Sequence, residues 1–86
     1  MTYEGQDLHD RVVEIAADYL GPASKRFIDR QIVNHLHKQP EELTNKDLEE
    51  LINWIEVVTA LITEDKKLIK EFAGRLHTLN DKQRTA

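Results

Sequence analysis

His9, His35, His37 and His77 are the side chains best suited to hold a metal or to move a proton near neutral pH. The closest two, in His35-Leu36-His37, stand two residues apart. On a regular helix such a pair diverges by about 200°, so the two rings cannot share a metal ion. The helical ligand spacings His-x-x-x-His and Glu-x-x-His are absent, and there is no cysteine. Ser24 follows Gly21-Pro22 but lacks the strand–elbow–helix setting of a hydrolase nucleophile. The paired acids Glu41/Glu42, Glu49/Glu50 and Glu64/Asp65 read as solvated or helix-starting residues, because acid–base work requires a cleft that perturbs them. Gly5, Gly21 and Gly74 lie too far apart to form a phosphate loop. The sequence therefore assigns no catalytic, cofactor-binding or metal residue, and the expectation is a protein that is not an enzyme.

Charge patterning offers a different kind of chemistry. Lys25, Arg26, Arg30 and Lys38 make one segment basic against the single Asp29, and Glu41, Glu42, Asp47, Glu49 and Glu50 make the next strongly acidic. Arg26 and Arg30, with either Asn34 or His37, fall on one helical stripe. Together with Lys25 they form a basic ridge that could meet an acidic partner or a phosphate. Alternatively the ridge is solvated, or is answered by the acidic residues that follow. Overall, 12 Lys and Arg stand against 16 Asp and Glu, for a net charge of −4. That balance argues against nucleic acid as the main partner.

These side chains need elements to position them, and the apolar spacing supplies helices throughout. Leu8, Val12, Ile15, Ala16 and Tyr19 predict a first helix over 7–20. Gly21-Pro22 closes it and opens a second over 22–37, with Ala23, Phe27, Ile28, Ile32 and Leu36 inward. Gln39-Pro40 disfavours continuation. Thr44-Asn45-Lys46-Asp47 has the form of a capping box and opens a third helix over 45–62. Thr63-Glu64-Asp65 resembles another start, giving a fourth over 64–80 through Leu68, Ile69, Phe72, Ala73, Leu76 and Leu79. The alternative is one unbroken helix from Asp47 to Leu79. Residues 81–86 are polar and expected to fray. The reading is all-α: one domain spanning residues 1–86, an antiparallel bundle of about four helices.

The third helix carries more apolar surface than an ordinary surface helix buries. Leu48, Leu51, Ile52, Ile55, Thr59 and Ile62 form one stripe, and Trp54, Val57, Val58 and Leu61 form a second beside it. An 86-residue chain cannot easily bury both. Trp54, Val57, Val58 and Leu61 are therefore the candidate partner interface, for another protein or for a second copy of the chain. No stretch approaches the roughly 20 apolar residues of a membrane span. The first residues lack the basic and apolar blocks of a signal peptide, so a cytoplasmic location is expected.

The run Gly21-Pro22-Ala23-Ser24-Lys25-Arg26-Phe27-Ile28-Asp29-Arg30, with Asp47-Leu48-Glu49-Glu50-Leu51 further on, resembles a short helical module. That module is found near the C-termini of some bacterial serine/threonine kinases and other signalling proteins. Gly21, Pro22, Lys25, Arg30 and Asp47 to Leu51 fit its pattern, while Ser24 and Asp29 stand where alanine and a base are more usual. The resemblance covers about a third of the chain and implies a non-catalytic, signalling-associated role. It carries over no functional residue.

Overall fold

Capping, glycine and proline divide the chain into helices before packing acts on them. A computed structural model describes residues 5–85, and within that span it contains helices and no strand. Helix α1 spans Gly5–Leu20 and ends at Gly21, whose left-handed backbone (φ 61°) turns the chain. A 3-10 turn over Gly21–Ala23 carries Pro22 in its first turn and leads into α2, Ser24–Gln31. Helix α3 covers Asn45–Ile62 and α4 covers Lys66–Thr85. The all-α class is established by this architecture.

The segment expected as one helix over 22–37 is instead three pieces. After α2 the backbone widens into a π-helical stretch over Ile32–Leu36, which ends at His37 in the left-handed conformation (φ 57°). A second 3-10 turn over Pro40–Glu42 follows Gln39. Ala23, expected inward, is exposed in the first 3-10 turn.

The limits of α3 follow from chemistry within one turn. The Thr44 hydroxyl accepts from the Asp47 amide at 3.2 Å, and the Asp47 carboxylate accepts from the Thr44 amide at 3.1 Å. Two backbone amides at the helix start are thereby satisfied. Lys38 also donates to the same carboxylate oxygen of Asp47 at 2.5 Å, fastening the chain before the second 3-10 turn to α3. The chain breaks over Thr63–Asp65, so α3 and α4 are separate helices. Asp65 caps α4 by accepting from the Leu68 amide at 3.0 Å. Helix α4 starts two residues later than expected and continues past Asn80 through Thr85. Ala86 lies outside the described residues.

The core gathers Leu8, Val12 and Ala16 of α1, Ile28 of α2 and Ile32 after it, Leu43, and the inner stripe of α3 from Leu48 to Ile55. Helix α4 closes it with Phe72, Ala73, Leu76 and Leu79. Tyr19 stacks on Phe72 with ring centroids 5.1 Å apart. Arg75 lies over the Tyr19 ring and pairs with Asp18 at 2.6 Å, joining α1 to α4. Ile62, counted in the inner stripe by spacing, is exposed: the last turn of α3 runs past the core.

Candidate functional site

Packing takes up most of the chemistry-bearing side chains. His9 is buried, and its Nε2 meets Asp29 Oδ1 at 2.5 Å. Lys25 donates to the other oxygen of Asp29 at 2.7 Å, one turn away on α2. Burial alone would raise the Asp29 pKa, but donation from Lys25 and from His9 outweighs it and holds the carboxyl below its ordinary value. The hollow here is lined by His9, Asp10, Lys25, Asp29, Pro40 and Glu41, none of which carries a hydroxyl nucleophile. His77 lies 3.8 Å from Glu56, and Ser24 is buried at the start of α2. Among the described residues no group of three or more His, Cys, Asp or Glu is placed to hold a metal ion.

The basic ridge is only partly free. Lys25 is committed to Asp29, and Lys38 to Asp47. Arg26 and Arg30 are exposed on α2 and have no carboxylate partner among the described residues. Asn34, and not His37, continues their surface, because the π-helical turn shifts the register and His37 ends it.

The second stripe of α3 emerges beside these arginines. Val57 is 53 % exposed, Leu61 81 % and Ile62 62 %; with Val33 at 45 % they are the large exposed hydrophobics among the described residues. All four belong to α3 or to the segment continuing α2; none lies on α1 or α4. Val58 is half-buried and helps to line a groove between α2 and α3, formed by Ala23, Arg26, Phe27, Arg30, Gln31, Val58 and Ile62. Trp54 is also half-buried, stacked on His35 at 3.9 Å between centroids and 10° between planes. His35 and Trp54 meet at one end of this face, and Ala23, Arg26 and Ile62 lie towards the other. Residue numbers thus rise along α2 as they fall along α3.

The face brings together two groups that the sequence holds apart: the arginines of α2 and the apolar stripe of α3. Phe27, Gln31 and Ile62 belong to it as well. Sequence periodicity gave no sign of this: it assigned Ile62 to the interior, and Phe27, which does pack against the core, also lines the groove. Gln31 is buried at the edge of the groove, and its Oε1 accepts no hydrogen bond among the described residues.

Comparison with protein families, curated proteins and solved structures finds no match to this chain. Among the described residues no helix is long and apolar enough to cross a membrane.

Proposed function

We propose that this chain is a non-catalytic, cytoplasmic interaction or regulatory module: an antiparallel bundle of about four helices that docks a protein partner on its α2–α3 face. One observation carries the reading. Val57, Leu61 and Ile62 are exposed together on the last turns of α3, next to two arginines that have no carboxylate partner among the described residues. Exposed apolar side chains beside arginine and tryptophan match the composition of protein interface centres. The resemblance to helical modules of signalling proteins agrees with such a role. Nucleic-acid or phospholigand binding draws less support, because ion pairing to Asp29 and Asp47 occupies both lysines of the basic segment.

Site-specific photocrosslinking in cytosolic extract tests the reading. A photoreactive residue at Leu61 is expected to give discrete protein adducts, whereas one at the exposed Arg11 of α1 gives none. Equal patterns from both positions, or no adduct from either, would remove the docking face as the functional surface.

A further inference from the structure

We infer that the partner on this face is a second copy of the same chain, related by a two-fold axis crossing α3 between Trp54 and Val57; this rests on the docking face proposed above. Glu50, Trp54, Val57 and Leu61 follow one another at intervals of four, three and four residues. On a straight helix these positions fall within an arc of about 60°, the spacing of a coiled-coil seam. The intervals are the same read in either direction. Laid antiparallel on its copy, the seam sets Trp54 opposite Val57 and Glu50 opposite Leu61, and each contact occurs twice. Such self-complementarity is what an isologous interface demands.

The charges obey the same symmetry. Glu49 and Glu50 are exposed at the first turns of α3, without an ion-pair partner among the described residues. Arg26 and Arg30 flank the last turns of α3, around Val58 and Ile62. The face thus has an acidic end, an apolar middle and a basic end. The two-fold axis brings the acidic end of each copy to the basic end of the other, where Glu50 passes Leu61 to reach the guanidinium groups. A net charge of −4 on each chain opposes association over longer distances, so these local pairs also fix the register. An acidic amphipathic helix from another protein would satisfy the arginines but leave Glu49 and Glu50 unanswered, whereas a second copy answers both ends at once.

Sedimentation velocity on the full 86-residue chain, from micromolar to millimolar concentration, tests the inference. A reversible dimer is expected, with a blue shift of Trp54 emission as it forms. Leu61→Glu should leave the melting temperature of the monomer unchanged, since the side chain is exposed, and should abolish dimerisation. Glu50→Arg alone and Arg26→Glu/Arg30→Glu together should each weaken the dimer about tenfold or more. The variant combining all three substitutions should recover most of that loss. A wild-type chain that stays monomeric at millimolar concentration overturns the second copy, as does a combined variant no tighter than its parents. Adducts to a different protein at position 61 would then leave the docking face standing, while their absence would remove both.

Discussion

His9 and Asp29, twenty residues apart, join α1 to α2 through a 2.5 Å contact between Nε2 and Oδ1. The imidazole is buried, so the carboxylate is its substitute for water. Asp10 also approaches it, 3.4 Å from Nδ1, but from an exposed position. Asp29→Ala strands a buried polar ring and is expected to cost about 1–3 kcal/mol. Asp10→Ala should cost well under 1 kcal/mol, as exposed pairs generally do. Urea unfolding at pH 7 separates the two. Equal midpoints would mean that His9 is satisfied without Asp29.

Acid should act through Asp47 as well as Asp29. Burial raises the Asp47 carboxyl, but donation from Lys38 and Thr44 prevails and its pKa falls below 3.8. A carboxylate depressed in the folded state contributes stability that is complete above its unfolded value and lost as pH drops through the folded one. Stability is therefore expected to decline as pH falls below 3.8 towards the depressed values of Asp29 and Asp47. Asp47→Asn should flatten that acid limb, measured as thermal midpoint against pH. Thr44→Ala, which removes the hydroxyl side of the cap, should cost about 1 kcal/mol at pH 7.

How legible each feature was in the sequence follows from how local its cause is. The bounds of α3 could be read because Thr44 and Asp47 satisfy each other within one turn. The break at Thr63–Asp65 was less clear, since the apolar period runs through it and side-chain capping enforces it, Thr63 accepting from the Asp65 amide and Asp65 from the Leu68 amide. The π-helical turn after α2 was invisible. It accompanies the stacking of His35 on Trp54, a partner nineteen residues away that no 3.6-residue period encodes. The burial of His9 depends in the same way on a distant carboxylate. For the site, the excess apolar width of α3 pointed to Val57 and Leu61, both of which are exposed. That Arg26 and Arg30 adjoin Val58 and Ile62 depends on how α2 lies along α3, which spacing within either helix does not contain.

Thr59 sits in the inner stripe of α3 at 1 % exposure, and its hydroxyl finds no hydrogen-bond partner among the described residues. A buried, unpaired hydroxyl carries its desolvation cost without return. Thr59→Val keeps the β-branched shape and removes the oxygen. It is expected to stabilise the fold by about 1 kcal/mol, read as a higher urea midpoint with an unchanged slope. A lower midpoint would show that the hydroxyl is satisfied in solution.

Gly21 and Gly74 should respond in opposite directions to the same substitution. At both positions an added methyl group meets nothing within 4 Å, so crowding does not decide the outcome. Gly21 holds φ at +61°, a left-handed conformation that an L side chain adopts at a cost of about 1–2 kcal/mol. Gly74 lies within α4, where glycine is about 0.8–1 kcal/mol less favourable than alanine. Gly21→Ala is thus expected to lower the melting temperature and Gly74→Ala to raise it. The double variant should melt between the two single variants. His37 provides a check on the strain argument, since it too is left-handed, at φ 57°. His37→Gly relieves that strain and should raise the melting temperature. A destabilised His37→Gly would show that its side chain contributes more than its backbone costs.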